Sequence, residues 1–289
     1  MQEAPRDFPV LAGVDFTSRP RPVKPITLAL GHAVAGGVAL DALHLLPDFD
    51  ALAQWLRSPG PWLGAFDFPF GLPRELVEHL GWPLTWPALI THFAALPREQ
   101  IRATFAAFCA ARPPGGKFAH RACDRPAGSS PSMKWVNPPV AYMLHAGAPV
   151  LLASGAHLPG LHAGDLRRVA LEGYPGMLAR EMIGARSYKS DTKARQDEAR
   201  RMARADLIDA LEQGDSRLKV RLVLSRTQRG ALLDDASADR LDAVLCMVQA
   251  AWAAVRPNFG LPETIDPLEG WIVTVLPGVT QGVAPPTAQ

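Results

Sequence analysis

The 289-residue sequence has few cysteines and no familiar loop for binding nucleoside triphosphates. Cys109, Cys123 and Cys246 are odd in number and lack paired spacing, which argues against a disulfide framework and against a zinc knuckle. Neither a GxxxxGK[ST] loop nor a GxGxxG sequence after a predicted strand is present. The cysteine pattern fits a reducing compartment, so we expect a cytoplasmic protein.

A strong excess of charge is also lacking. The sequence has 30 Lys and Arg against 28 Asp and Glu, a formal net charge of +2. Any affinity for nucleic acid would therefore depend on a local basic patch. The eight histidines show no metal-ligand spacing.

Long apolar runs without interruption are missing, and the polar N-terminus lacks the apolar core of a signal peptide. Two stretches are poor in charge, residues 25–46 and residues 138–164. Gly36-Gly37 interrupts the first, and the second contains Pro149 with several glycines and histidines. We expect neither stretch to cross a membrane.

What the sequence does contain is a set of acidic residues inside apolar segments, although 48% hydrophobic composition already suffices for a large core. Asp15, Asp67 and Glu172 each interrupt or end an apolar stretch, and Asp239 and Asp242 flank the start of a strongly apolar helix. A buried ionised carboxylate without a partner costs several kcal/mol or more. We therefore expect these side chains to converge and a divalent cation to neutralise them.

The pattern of elements predicts an α/β fold with a mixed five-stranded sheet and helices on both faces. Strands are expected at about residues 9–18, 25–34, 38–45, 62–68 and 168–174, with a late strand or extended segment at 270–276. Helices are expected at about 51–57, 140–153, 192–212 and 238–255, and in a section from 73 to 111 broken by prolines. The first three strands should be antiparallel, and later strands should run parallel to the first.

These elements are predicted to form a single domain over residues 1–276. It would carry a helical insertion at about 73–165, and residues 277–289 are expected to form a disordered tail. The acids then fall at the ends of the first, fourth and fifth strands and on the last helix, where α/β proteins build their sites.

Four motifs, taken in order, resemble a known family. Residues 13–18 (GVDFTS), 66–73 (FDFPFGLP), 172–175 (EGYP) and 239–243 (DRLDA) are similar to motifs of a bacterial and archaeal family of unknown function. Its members are predicted to be nucleases with the ribonuclease H fold. The last motif also resembles the paired helix aspartates of Holliday-junction resolvases. The resemblance covers about residues 10–275 and implies a ribonuclease-H-like sheet.

The resemblance implies a role for each acid. Asp15 would be the first-strand carboxylate that bridges two metal ions, Asp67 the acid of the fourth strand, and Asp242 the final helix aspartate, with Asp239 one turn earlier. Glu172 departs from the minimal ribonuclease H pattern, which leaves it open as a ligand or a substrate-orienting group. The implied function is hydrolysis of phosphodiester bonds in DNA or RNA with Mg²⁺ or Mn²⁺.

The residue types suit that chemistry. Two hard cations roughly 3.5–4 Å apart can neutralise a phosphate and activate water, and they prefer carboxylate oxygens to cysteine. Asp239 and Asp242 are spaced i, i+3 and so project from one helical face. Each acid also has an ordinary interpretation. Asp15 could cap a turn, and Glu172 could pair with Arg167 or Arg168.

Basic residues that could contact phosphate fall into two groups. One is a segment rich in Pro, Gly and Ser that includes Arg121 and Lys134. The other precedes and enters the charged helix at 192–212, and Lys189 is its best candidate. Acidic residues are interleaved in that helix, so a solvated face of ion pairs is an equally good interpretation.

Two other functions stay open at this point. An ATP-dependent phosphotransferase of the actin and sugar-kinase type would have the same core topology, and residues 13–18 could form its phosphate loop after the first strand. The sequence lacks the second Gly-rich phosphate loop of that class. A non-catalytic module that binds nucleic acid or protein is the other alternative. The sequence leaves the oligomeric state and the kind of nucleic acid undecided.

Overall fold

The computed structural model of the chain describes residues 7–113 and 115–276. Within these residues the strands form one seven-stranded sheet, in the order β5-β6-β4-β1-β2-β3-β7. The strands are β1 (Val10–Asp15), β2 (Ile26–Val34), β3 (Gly37–Leu46), β4 (Trp62–Phe66), β5 (Ala156–His157), β6 (Asp165–Glu172) and β7 (Arg221–Val223).

The sheet is mixed, as predicted. β1, β2 and β3 form an antiparallel meander, whereas β4 runs parallel to β1 and β6 runs parallel to β4. The meander follows from the short connections between its strands, and the parallel strands return through helices. This arrangement brings the carboxyl ends of β1, β4 and β6 to one edge of the sheet.

The predicted number of five strands is wrong, because β5 and β7 extend the sheet at its two edges. They have two and three residues, too few to show an alternation of polar and apolar side chains. The expected late strand at residues 270–276 forms one isolated parallel bridge, Glu172 to Ile272. Thr274 has a φ of 73°, a left-handed conformation that ends extended pairing there.

Helices cover both faces of the sheet. They are α1 (Phe49–Leu56), α2 (Arg74–His79), α3 (Trp86–Ala95), α4 (Arg98–Ala110), α5 (Asp124–Ala127), α6 (Val140–Ser154), α7 (Pro175–Ile183), α8 (Glu198–Gln213), α9 (Arg226–Asp234) and α10 (Asp239–Ala254), with 3-10 turns at Lys193–Arg195 and Pro257–Gly260. Helices α7 and α9 were not predicted from the sequence. Between β4 and β6 the chain forms α2 to α6 and β5.

Each face has its own apolar core. One core joins the sheet to α7, α8 and α10, and the other joins it to α1 and to α2, α3, α4 and α6. Helix α10 is buried on nearly all sides, as its apolar sequence predicts. It packs directly on β1, where a Cβ atom on Gly13 would lie 2.0 Å from the carbonyl oxygen of Ala243. Glycine at this position therefore sets the close approach of α10 to β1.

No helix in the described part of the chain is long and apolar enough to cross a membrane. The three cysteines are free and buried, in agreement with the absence of a disulfide framework. The predicted disordered tail at 277–289 lies outside the described residues.

Candidate active site

A cleft of about 620 Å³ opens where β1, β4 and β6 end. Asp15, Asp67, Glu172 and Asp239 line it, together with Lys189 from the segment that precedes α8. The sheet therefore brings four of the five predicted acids to one cavity, although they are up to 224 positions apart in the sequence. Crevices at the carboxyl ends of parallel strands are the usual place for sites in such folds.

Strand alternation decides which way the first two acids face. Val14 and Phe66 are paired in register and point into the core under α1 and α6. Asp15 and Asp67 each follow one of them, so both side chains belong to the opposite face, which α10 covers. The amide N–H of Asp67 donates to the carbonyl of Val14 at 2.9 Å, which fixes the two aspartates as neighbours.

Helix α10 supplies the other two carboxylates of this face. Asp239 and Asp242 lie in its first turn, three residues apart. The Asp242 side chain is only 1% exposed, and its Oδ1 accepts a hydrogen bond of 2.6 Å from the Tyr188 hydroxyl. The Lys189 ammonium forms an ion pair with Oδ2 of Asp242. Both oxygens of Asp242 are thus held from the same short segment.

Asp15, Asp67 and Asp242, which we call the acid cluster, repel one another. Burial, followed by the charges of Asp242, Asp239 and Asp67, raises the pKa of Asp15 well above its ordinary value. Burial raises the pKa of Asp67 to about 7, with Lys189 opposing the rise and Asp242 adding to it. Among the described residues, no side chain donates a hydrogen bond to Asp15 or Asp67. These two half-buried carboxylates therefore lack the side-chain hydrogen-bond donors that buried acids usually have, and the charge of Lys189 only partly offsets their repulsion.

Lys24 is a member of the site that the sequence did not reveal. Its Nζ donates to Asp239 at 2.9 Å and to Asp191 at 2.6 Å. It lies in the turn that enters β2, and Thr27 of β2 pairs with Asp15. The predicted pairing of the first two strands could have revealed Lys24, because a lysine three residues before Thr27 lies near the end of β1. Tyr188 likewise received no role from the sequence, although it stands next to Lys189.

Glu172 enters the cleft from the other face of the sheet. It pairs in register with Phe66, so its side chain points away from α10. Its two oxygens accept bonds of 2.6 and 2.7 Å from Arg121, and Oε2 also accepts from the amide of Phe70 at 2.9 Å. The alternative interpretation of Glu172, an ion pair with Arg167 or Arg168, is not what the structure shows, because those two residues bond near the opposite end of β6.

Arg121 is at the centre of a second group, which we call the arginine network: Arg121, Asp124, Glu172 and Glu269. Its side chain is 1% exposed and donates to Asp124, to Glu172 and to the carbonyl of Glu269. These bonds use every nitrogen of the guanidinium. No guanidinium nitrogen of Arg121 is left without a hydrogen bond inside the protein, so this geometry does not favour the substrate contact expected from the sequence.

Of the other two predicted substrate contacts, one lies in the cleft and one does not. Lys189 lies in the cleft, beside the acid cluster. Lys134 is half-buried and is absent from the cleft lining. Although burial works against the charged form, Asp242 and then Tyr188 raise the pKa of Lys189 well above its ordinary value. Lys189 therefore carries a positive charge at neutral pH.

The acid cluster fits a hard divalent cation by the type of its ligand atoms, which are carboxylate oxygens. Its side chains do not adopt a coordination geometry in this structure. Across residues 7–113 and 115–276, no three Asp, Glu, His or Cys side chains already stand together as a metal site. Carboxylate oxygens are the ligands that Mg²⁺ and Mn²⁺ prefer. The Lys189 ammonium, which lowers the pKa values of both Asp15 and Asp67, shows that the cluster accommodates a positive charge.

Comparisons with protein-family models, with curated proteins and with solved structures gave no significant match to this chain.

Proposed function

We propose that the protein is a metal-dependent nuclease that hydrolyses phosphodiester bonds of nucleic acid. The observation that carries this proposal is the convergence of Asp15, Asp67 and Asp242 on one side of the sheet edge. Asp15 and Asp67 are half-buried and Asp242 is buried; acids that repel one another in such surroundings destabilise a fold, so their placement argues for a role in binding cations. Acidic clusters of this kind are what two-metal phosphodiester hydrolysis requires.

The topology supports a ribonuclease-H-like interpretation of the fold. An antiparallel meander leads into strands parallel to the first, with acids at the ends of β1 and β4 and on the last long helix. This matches the order implied by the resemblance of the four sequence motifs. Fold likeness alone does not establish an activity, so the proposal depends on the site.

Asp15, Asp67 and Asp242 would hold Mg²⁺ or Mn²⁺. When bound, such ions neutralise the phosphate and activate the attacking water. Tyr188 orients Asp242 by its hydrogen bond to Oδ1. Lys189 neutralises the other oxygen of Asp242, and its remaining N–H groups would donate to one phosphate oxygen without leaving a spare positive charge in the cleft.

Glu172 has a positioning role in this scheme. Its bond to the amide of Phe70 anchors the turn that follows Asp67. Arg121 holds Glu172 in place from within the protein. The arginine network therefore fixes the end of β4 without offering its own charges to a cation.

The test is cleavage of labelled DNA and RNA in Mn²⁺ by wild type, Asp15→Asn and Asp242→Asn. Each variant should lose at least about 100-fold in rate, since even outer partners of metal ligands cost about 10–100-fold. Thermal stability without metal should stay similar or rise, because one repelling charge is removed. Asp50→Asn, an exposed position in α1, serves as the control.

Mn²⁺ titration by calorimetry gives a second measurement. Wild type and Asp50→Asn should bind Mn²⁺ equally, and Asp15→Asn should bind it more weakly. If both cleft variants cut nucleic acid as fast as wild type, the nuclease proposal fails. Tight ATP binding without cleavage would instead favour a phosphotransferase.

A further inference from the structure

The size of the cleft limits what it can take. A volume of about 620 Å³ is typical of pockets that surround a small molecule. Proteins that bind duplex DNA specifically use extended surfaces that bury about 1,000–2,500 Å². Asp15 and Asp67 line the cleft, and Asp242 is buried behind them, so the reacting phosphate must enter the cleft to reach the acid cluster.

The charged side chains of the cleft would repel a nucleic-acid backbone that placed several phosphates in it. Five acidic and three basic side chains line it. Each basic one is already paired, Lys24 with Asp191 and Asp239, Lys189 with Asp242, and Arg121 within the arginine network. A duplex presents one negative charge per about 1.7 Å, and its binders neutralise many phosphates with Lys and Arg.

The charged helix α8 does not supply the missing cations. Arg200 pairs with Asp197, and Arg201 lies within 3.7 Å of Glu198 and Asp234. Arg204 is buried and donates to backbone carbonyls. Ion pairs and internal bonds thus occupy these arginines, in agreement with a solvated face and not with a phosphate track.

Much of the remaining lining is apolar. Met143 of α6 and Tyr174, which follows Glu172, are half-buried, whereas Phe16 and Phe68 lie deeper in the lining, at 4% and 3% exposed. Unpaired bases present flat apolar faces that stack on such side chains, whereas paired bases keep those faces inside the helix. The lining is therefore suited to bases that have left a duplex.

We propose that the cleft takes one or two unpaired nucleotides, from a strand end or a single-stranded stretch, and excludes continuous duplex. This inference rests on the proposed function and specifies its substrate class. The acid cluster would meet one phosphodiester, and the apolar lining would meet the adjoining base. Few phosphates then need neutralising, which agrees with the paired state of Lys24 and Lys189.

The experiment compares a dinucleotide, a single strand of about 20 nucleotides and the same strand annealed to its complement, all with Mn²⁺. The single strand should be cut at least about tenfold faster than the duplex, and the dinucleotide should also be cut. Binding of the labelled strands, measured by fluorescence anisotropy with Ca²⁺ in place of Mn²⁺, should show the same preference without depending on turnover.

A matched pair of variants tests the apolar lining. Met143→Ala should weaken binding of the single strand several-fold, and Met202→Ala, at an exposed position of α8, should leave it unchanged. Duplex cut or bound as well as the single strand would overturn the inference while leaving the nuclease proposal intact. If no substrate is cut and Mn²⁺ does not bind, the nuclease proposal fails and this inference fails with it.

Discussion

Two groups of acids, buried or half-buried, meet at the same edge of the sheet, and only one of them is neutralised by hydrogen bonds from within the protein. In the arginine network, Glu172 and Asp124 surround a guanidinium, and short hydrogen bonds use all of its donors. In the acid cluster, Asp15 and Asp67 receive no side-chain hydrogen bond from the described residues and repel each other. Glu172 and Asp67 are close enough that the charge of Glu172 raises the pKa of Asp67.

The difference teaches that burial of a carboxylate at a strand end does not by itself mark a catalytic group. The arginine network and the acid cluster differ in whether the protein itself supplies a positive charge that balances the carboxylates. Arg121 compensates the network from within, so its acids serve the fold. The acid cluster has one partly exposed ammonium, from Lys189, for three carboxylates, so its remaining charge is open to neutralisation by a proton or by a cation.

The largest expected effect comes from breaking the network at its centre. Arg121→Met should lower the free energy of unfolding by about 3–5 kcal/mol, because Glu172 and Asp124 would be left buried without their counter-charge. Urea denaturation at neutral pH measures this. Arg125→Met, at an exposed position of α5, the short helix that also contains Asp124, should change stability little. Equal losses from both substitutions would show that the network is not stabilising.

An intermediate effect, dependent on pH, is expected from the acid cluster. The pKa of Asp67 is about 7 in the fold, above the ordinary value near 3.8. A raised carboxyl pKa means that folding binds a proton between these values. The contribution of the Asp67 carboxyl to the free energy of unfolding is therefore fully present below about pH 4. It is lost as the pH rises through 7, by about 1.4 kcal/mol per unit of pKa difference between the folded and unfolded states.

Asp67→Asn removes this titration. In EDTA the variant should match wild type near pH 4 and be more stable than wild type at pH 8, and its stability should depend less on pH in between. Denaturation curves at several pH values measure the difference. Curves that fall in parallel for the two proteins would mean that Asp67 is not held under repulsion.

The smallest expected effect distinguishes Glu172 from the cluster. Glu172→Gln should change Mn²⁺ affinity by less than about threefold, since the side chain lies on the far face of the sheet, whereas Asp67→Asn should weaken it about tenfold or more. Calorimetric titration of both variants provides the comparison. A loss for Glu172→Gln as large as that for Asp67→Asn would identify Glu172 as a metal ligand.

Long periodic segments were predictable from the sequence. The meander β1 to β3, the buried strand β4 and the apolar helix α10 all lie within a few residues of their expected bounds. The two-residue β5 and three-residue β7 were not predictable, because strands so short carry no period and depend on their neighbours for pairing. The isolated bridge at Ile272 has a different cause, because the apolar run at 270–276 fits a strand but the backbone turns at Thr274.

The acids of the candidate site could be predicted from the sequence, but most of the residues that bond to these acids could not. Apolar surroundings singled out Asp15, Asp67 and Asp242 because an uncompensated buried charge is costly. The partners Lys24, Tyr188 and Asp124 come from distant or irregular segments without a pattern of their own.

The sequence by itself determined that several carboxylates would be buried at the ends of strands, because a charged residue inside an apolar run has to follow that run into the core. Only the tertiary structure decided which of them share a cluster and which are neutralised by an internal arginine. Strand register sets Glu172 on one face and Asp67 on the other, and the packing of α10 on Gly13 brings Asp242 to Asp15. Electrostatic energy depends on distances through space, and those distances exist only once the sheet has formed.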